Sequence, residues 1–228
     1  FIWSCKNCCF LVKEGVLREK GALHTAYEIS CQPKLWKETA LKFYKESASI
    51  NEFLHGAFEQ ITHIILTGAG TSAFIGLSLQ GVFQKNTGII STAISTTDIV
   101  SHPQHYFSNS QIPLIISFAR SGNSPESCAA LELADKFSRK CFHLIITCDT
   151  DGALANYTSP NPVNVFTLPP DTNDKSLAMT GSYTSMLLTG LLTAYRNQQE
   201  FCKQQIENIC NAAENILKHH TNQLQHIA

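Results

Sequence analysis

No apolar run in the chain approaches the ~20 residues that a membrane-spanning helix needs, so no span and no membrane partner are expected. Neither sign of charge is in excess. Seventeen Lys and Arg against 18 Asp and Glu leave a net charge of −1, which offers nucleic acid or an anionic membrane no electrostatic hold. Metal-ligand spacing is missing too. Cys5-Lys6-Asn7-Cys8-Cys9 contains a CxxC, but no second Cys or His pair follows at zinc-finger spacing. The nine histidines form no HxxxH pair, and no metal or other cofactor is expected. Phe10-Leu11-Val12 is too brief for a signal-peptide core. Phe1 rather than methionine opens the chain, as expected of a fragment or a partial chain.

With 228 residues, 43% of them hydrophobic, there is enough material for a sizeable core in one large domain or two small ones. Nine cysteines, an odd number scattered through expected helices and strands, suit a reducing cytoplasm. Cys128, Cys141, Cys148 and Cys210 are expected as small core residues.

The run Ile64-Ile65-Leu66-Thr67-Gly68-Ala69-Gly70-Thr71-Ser72 joins a β-branched apolar stretch to Gly-x-Gly and two hydroxyls. Ile75, Leu79, Val82 and Phe83 follow at helical spacing. The pattern predicts a buried strand, a glycine turn and a helix. The glycines let an anion approach the backbone, and the helix N-terminus supplies unpaired N–H groups and about half a positive charge. Three ligand classes compete for such a cradle. Gly68-x-Gly70-x-x-Ala73 fits a loose dinucleotide fingerprint, but the acidic residue expected ~20 positions on is absent, and Asp98 lies well past that point. No Gly-Lys-Ser/Thr follows, which excludes a Walker-type P-loop. The third class is a phosphosugar, with Thr71 and Ser72 taking the place of the lysine.

Residues 1–20 show no clear periodicity and are expected as an extended lead-in open to disorder. Helix formers dominate 21–30 and 33–58, with Pro33 suited to the first turn of the second helix. Its expected buried stripe is Leu35, Trp36, Leu41, Phe43, Tyr44, Ile50, Phe53 and Leu54. An α/β domain over 59–196 follows. Strands are expected at 62–67, 89–95, 113–118, 142–147 and 163–168. Helices are expected near 72–86, 98–107, 125–140 and 177–195, with a turn at 151–157. Such alternation predicts a doubly wound five-stranded parallel sheet, flavodoxin-like in its order 2-1-3-4-5, with flanking helices. A last helix, 198–226, carries Ile206, Ile209, Cys210, Ala213, Ile216, Leu217 and Leu224 as a stripe. That stripe requires a partner surface: the sheet, another subunit in a homo-oligomer, or a further domain.

A second loop of the same kind follows the third strand. Ser117-Phe118 runs into Ala119-Arg120-Ser121-Gly122-Asn123-Ser124-Pro125-Glu126-Ser127, with Ser124 expected as N-cap and Pro125 at the first helical position. The helical set Ala130, Leu133, Ala134 and Phe137 is expected to face the sheet. In a 2-1-3-4-5 sheet, strands 1 and 3 are neighbours whose helices leave on opposite faces, so both loops flank the switch point where ligands bind. A dinucleotide needs no second hydroxyl-rich turn, whereas a phosphosugar needs donors for its phosphate and partners for its hydroxyls. The phosphosugar reading leads.

Gly68-Ala69-Gly70-Thr71-Ser72 and Ser117 to Ser127 resemble the two signature loops of a sugar isomerase (SIS) domain. The narrower resemblance is to the tagatose-6-phosphate ketose/aldose isomerases and galactosamine-6-phosphate deaminases. It is carried also by Gly21-Ala22-Leu23-His24-Thr25-Ala26, Ser95-Thr96-Thr97-Asp98, Thr147-Cys148-Asp149 and the stretch from Leu168 to Thr180. His102, where the family more often has asparagine, and Asp171, where glutamate is usual, depart from it. The resemblance implies two SIS domains in tandem, so 197–228 is expected to lead to a second SIS domain outside this sequence. It further implies a cytoplasmic enzyme that binds a sugar phosphate through Gly70, Thr71, Ser72, Arg120, Ser121, Gly122, Asn123, Ser124 and Thr180.

Aldose–ketose isomerisation removes the C2 proton and passes through an enediol or enolamine, and deamination also expels ammonia. Both need a base, an acid for the ring oxygen and a stabilised oxyanion. Asp98, His102, His105 and Glu126 are the nearby ionisable candidates. Each has a plainer role open to it: Asp98 as a helix cap, Glu126 as a first-turn carboxylate, the histidines as surface residues. The alternative to an enzyme is a regulatory sugar-phosphate-binding domain, and a dinucleotide oxidoreductase stands third.

Overall fold

The computed structural model describes residues 14–220 and 223. Five strands form one all-parallel sheet: β1 (His63–Gly68), β2 (Ser91–Ser95), β3 (Pro113–Ala119), β4 (Phe142–Thr147) and β5 (Val163–Thr167). Their spatial order is 2-1-3-4-5, as the sequence predicts. The helices are α1 (Glu14–Glu19), α2 (Leu23–Phe58), α3 (Ala73–Thr87), α4 (Thr96–Ser101), α5 (Pro125–Phe137), α6 (Gly181–Ala194) and α7 (Gln199–His219).

Strand residues alternate between two apolar layers. Ile64, Leu66, Leu114, Ile116, Leu144 and Ile146 join one core with α2, α3 and α6. Ile65, Ile115 and Ile145 face the other way, against Ile99 of α4 and Ala130, Leu131 and Ala134 of α5. Burial on both faces is why these strands read as continuous apolar runs. Each fully buried Leu or Ile contributes about 1.5–3 kcal/mol relative to exposure, so these two layers dominate the fold's stabilisation.

Several boundaries differ from the sequence reading. The two expected N-terminal helices are one 36-residue helix, α2, with Pro33 in its interior. Proline removes one N–H from the helical ladder. The carbonyl so released, that of Ile29, accepts instead from Gln32 Nε2 at 3.4 Å. Helix α2 also packs on both α6 and α7, on the stretch that includes Pro33. Leu41, expected in the buried stripe, is 70% exposed, while Leu35, Phe43, Ile50 and Leu54 are buried as expected. Trp36 packs at the core's edge and donates its indole N–H to Thr184 Oγ1 at 2.9 Å. Glu14–Glu19 is helical rather than extended, Lys20 follows in a turn, and residues 1–13 of the lead-in lie outside the described residues. On α5, Leu131 is fully buried whereas Leu133 and Phe137 are only partly so.

Helix α6 starts at Gly181, not near 177, because the Asp174 carboxylate takes the N–H groups of Thr180, Gly181 and Ser182. That anion fixes the helix start and leaves 175–179 as a strap outside it. Helix α7 turns Cys202, Ile206 and Cys210 onto α2, where the Cys210 thiol lies 3.4 Å from the Pro33 carbonyl oxygen and Lys37 pairs with Glu214 at 2.8 Å. Ile209 and Ile216 stay exposed, and Leu224 lies outside the described residues. Cys141, Cys148 and Cys210 are buried thiols, and Cys128 is half-buried. No described helix is long and apolar enough to cross a membrane.

At the N-terminal edge of the sheet, Asp135 of α5 ties three chain segments together. Its carboxylate accepts from His143 Nε2 at 2.8 Å, the Tyr157 hydroxyl at 2.6 Å, Ser159 Oγ at 2.8 Å and Asn161 Nδ2 at 2.9 Å. The Cys141 thiol lies 3.2 Å away. Burial pushes the Asp135 pKa up, but the hydrogen bonds from His143, Tyr157, Asn161 and Ser159 outweigh it and hold the carboxyl well below the usual range. Asp135, Cys141 and His143 bring metal-ligand atoms within 4.8 Å of one another. However, His143 Nδ1 is buried without the hydrogen-bond partner that a ligating imidazole's second nitrogen normally has. The cluster fits a hydrogen-bonded anion better than a metal site.

A folded-state pKa below the unfolded value of about 3.9 places the Asp135 contribution fully in force above about pH 4, and acid removes it as pH falls towards the folded-state value. Urea midpoints should therefore drop between pH 7 and pH 3, and drop less in Asp135→Asn. That variant should already be about 2 kcal/mol less stable at pH 7, because buried donors lose their acceptor. An identical pH slope in the two proteins would refute this account.

Candidate functional site

Strands β1 and β3 are hydrogen-bonded neighbours in a register that pairs Thr67 with Ser117 and Gly68 with Phe118. Both therefore end at the same level, and the loops that follow lie side by side. After β1 the chain makes a single 3-10 turn, Gly70–Ser72, and enters α3. After β3 it passes through Arg120, Ser121, Gly122, Asn123 and Ser124 into α5. Gly70 and Gly122 sit at φ 54° and 65°, in the left-handed region that a side chain disfavours, so both turns need glycine. Because α3 and α5 leave on opposite faces, a crevice of about 230 Å³ opens between the loops.

The crevice is polar on its inner wall. Thr71, Ser72, Arg120, Ser121, Gly122, Ser124 and Ser127 line it, together with the backbone at Ala69 and Ala119. Phe118, Leu177 and Met179 add apolar surface. Ser72 is buried, its hydroxyl 4.0 Å from the Met179 sulfur, while Thr71 faces solvent. Ser124 occupies the N-cap position of α5, with Pro125 at the first helical position. Its hydroxyl donates to Ser127 Oγ at 2.6 Å instead of capping the backbone. Arg120 is the one charged side chain among the lining residues, and its Nη1 donates to the Ser176 carbonyl at 3.1 Å. The arrangement lines the crevice with hydroxyl-bearing side chains and one cation anchored at Ser176.

Other residues singled out from the sequence lie elsewhere. Gly70 shapes the first turn without lining the crevice. Asn123 braces the neighbouring loop, its Oδ1 accepting from the Ala153 N–H at 2.9 Å. Thr180 is bonded through its N–H and hydroxyl to Asp174. Asp98 is exposed in the first turn of α4, where Ser95 Oγ accepts from its N–H at 3.2 Å, so Ser95 and not Asp98 is the cap. His102 and His105 are exposed and stack on each other with ring centroids 5.0 Å apart. Glu126 is in the first turn of α5. None of these four ionisable groups lines the crevice.

Two carboxylates that sequence reasoning passed over shape the site from outside. Asp174 caps α6, and Glu28 of α2 holds Lys175 and Ser176. Their signals were available. Asp174 lies in the polar run after Pro169-Pro170, and Glu28 falls in helical phase with buried Cys31 and Leu35. A second cleft, about 170 Å³ and almost wholly apolar, lies between α2, α6 and α7 beside Trp36, Leu188 and Ile206. It lacks the polar groups that would orient a small polar ligand.

The topology and the crevice define a doubly wound α/β domain with an open crevice at the switch point. Residues 57–196 match the SIS domain family, and the chain belongs to that family. Over 206 residues the chain is 43% identical to a D-galactosamine-6-phosphate deaminase, AgaS, of Shewanella sp. (strain ANA-3), an alignment covering 87% of this chain and 53% of that protein. A crystallised Clostridium novyi NT protein, provisionally named tagatose-6-phosphate ketose/aldose isomerase, superposes with a TM-score of 0.90 at 40% identity, over 94% of this chain and 55% of its own. The tagatose-6-phosphate ketose/aldose isomerase of Escherichia coli gives 0.78 at 34% identity, covering 86% and 55%. The chain thus spans about half the length of the curated relatives it matches.

The second signature loop depends on a close approach from 149–157. The Leu154 N–H donates to the Gly122 carbonyl at 3.0 Å, and a Cβ at Gly152 would stand 2.2 Å from the Ser121 carbonyl oxygen. Backbone on both sides leaves no flexible group to yield. Gly152→Ala should therefore push the Ser121–Gly122 turn out of place and lower stability by about 1–3 kcal/mol. Thermal denaturation of the variant checks this, and an unchanged melting temperature would refute it.

Proposed function

We propose that the chain is the sugar-phosphate-binding half of an isomerase or deaminase acting on a hexose or hexosamine 6-phosphate, such as tagatose or galactosamine 6-phosphate. The observation that carries the proposal is the convergence of two hydroxyl-lined loops and Arg120 on one switch-point crevice. The names of the relatives at about 40% identity support the same substrate class. In this reading the Thr71 and Ser72 turn at the start of α3 receives the phosphate, where the two hydroxyls and the helix dipole favour a dianion. Arg120 adds a charge-assisted contact, and Ser121, Ser124 and Ser127 offer partners for the sugar hydroxyls.

Catalysis asks for more than the crevice holds. Moving the C2 proton requires a base, and opening the ring requires an acid. Among the described residues, no carboxylate or imidazole lines the crevice. We assign the acid–base groups to residues outside the crevice, contributed by polypeptide beyond this half or by a second subunit of a homo-oligomer. The same observation favours the second reading, a regulatory sugar-phosphate-binding domain without chemistry of its own.

Calorimetry with galactosamine 6-phosphate and tagatose 6-phosphate tests the binding claim. Ser72→Ala should weaken binding by about 1 kcal/mol, and Arg120→Ala by about 1.5–3 kcal/mol, as for a hydrogen bond to a charged group. Wild-type affinity in both variants would place the ligand elsewhere. Turnover is a separate measurement. The 228-residue chain should release ammonia from galactosamine 6-phosphate at least 10²-fold more slowly than a polypeptide carrying two SIS domains, because a positioned base contributes roughly 10²–10⁴-fold. Equal rates would put the base within these residues.

A further inference from the structure

Glu28 is a buried carboxylate on α2, 7% exposed, and among the described residues no cation pairs with it. A buried charge is tolerated only when its hydrogen bonds are met. Among the described residues all of them come from the strap between β5 and α6. Glu28 Oε1 accepts the N–H groups of Lys175 at 2.6 Å and Ser176 at 3.1 Å, and Oε2 accepts the Ser176 hydroxyl in a short hydrogen bond. The strap residue so clamped is the one whose carbonyl accepts from Arg120 Nη1. Immediately beyond it, Leu177 and Met179 form part of the crevice lining.

We propose that Glu28 is a positioning residue for Arg120. Its carboxylate fixes the Ser176 peptide, the Ser176 carbonyl fixes one end of the guanidinium, and the remaining N–H donors of Arg120 are held towards the crevice. A long side chain such as arginine loses much rotamer freedom when it engages an anion, and a guanidinium already anchored loses less. The clamp thereby raises affinity without touching the ligand. The proposal rests on the sugar-phosphate reading for the identity of the anion, but the link from Glu28 to Arg120 can be measured without any ligand.

The experiment is a double-mutant cycle on the 228-residue chain, using Glu28→Gln and Arg120→Ala singly and together, with galactosamine 6-phosphate and inorganic phosphate as calorimetric probes. Glutamine keeps the size but presents an amide where the strap offers only donors. Glu28→Gln should weaken galactosamine 6-phosphate binding roughly 10-fold, the loss of about one well-placed contact. In the Arg120→Ala background the same change should shift affinity less than about 2-fold, because the group it acts through is gone. Equal losses in the two backgrounds would mean that Glu28 supports the fold and nothing more. The ligand-free readout is NMR. In Glu28→Gln the amides of Lys175 and Ser176 should exchange faster, and the Arg120 Nε–Hε signal should move towards that of a free arginine side chain. An unmoved Arg120 signal with freed strap amides overturns the proposal. If Glu28→Gln does not fold, Ser176→Ala removes the hydroxyl, with its bond to Glu28 and its 2.8 Å contact with the Ala178 carbonyl, but keeps both N–H bonds to Glu28, and should give a smaller loss, about 3-fold, that again depends on Arg120. Failure of the wild-type chain to bind either probe would reject the sugar-phosphate reading, while the NMR arm would still decide the role of Glu28.

Discussion

The parallel pairing of β1 with β3 is the contact on which the rest of this domain depends. It is a crossover pairing, because β2 intervenes in sequence and lies on the outer side of β1. The crossover sends α3 to one face and α5 to the other, so the two strand ends are left uncovered between diverging helices. Strand ends level at Gly68 and Phe118 bring two turns within reach of one small molecule. A register slip of one residue would turn each strand's apolar set to the wrong face, and the two cores therefore enforce the alignment of the loops.

Around that crevice the domain uses anions as fasteners. Asp174 gathers the first N–H groups of α6, Glu28 gathers those of the strap, and Asp135 gathers side chains at the opposite edge of the sheet. None of the three lines the crevice. Their effect there is geometric: the N-terminus of α6 is occupied from within by Asp174, while the hydroxyl-bearing residues of the turns leading into α3 and α5 line the crevice. The inner wall is thus fixed by β1 and β3, and the outer wall by a strap with its own anchor.

Much of this was legible in the primary structure because the signals are local or periodic. Continuous apolar runs bounded by glycine announce buried parallel strands, and the alternation of strand and helix sets the layering. Two turns of the same composition, one after the first strand and one after the third, suffice to place the crevice once the strand order is granted. Where the reading went astray, long-range packing had overruled a local preference. Pro33 is a helix-breaking residue by its own chemistry, yet it sits inside α2, where Gln32 takes the released carbonyl and α6 and α7 pack against the helix. Leu41 has the right character for a core position, but it stays mostly exposed on α2, at the rim of a cleft shared with α7.

The sequence by itself determined the class of fold and the two hydroxyl-rich turns, since each of these follows from residue type and spacing over a few positions, and it pointed to the doubly wound order 2-1-3-4-5 that the strand pairing then realised. Only the tertiary structure decided which polar residues face the crevice. Asn123 and Thr180 look like ligand contacts in the sequence and are engaged by Ala153 and Asp174. Glu28 looks like an ordinary helix residue, yet it clamps Ser176 from 148 positions away. Hydrogen-bond partners at that separation are chosen by how helices pack on a sheet, and no local pattern of residues encodes that choice.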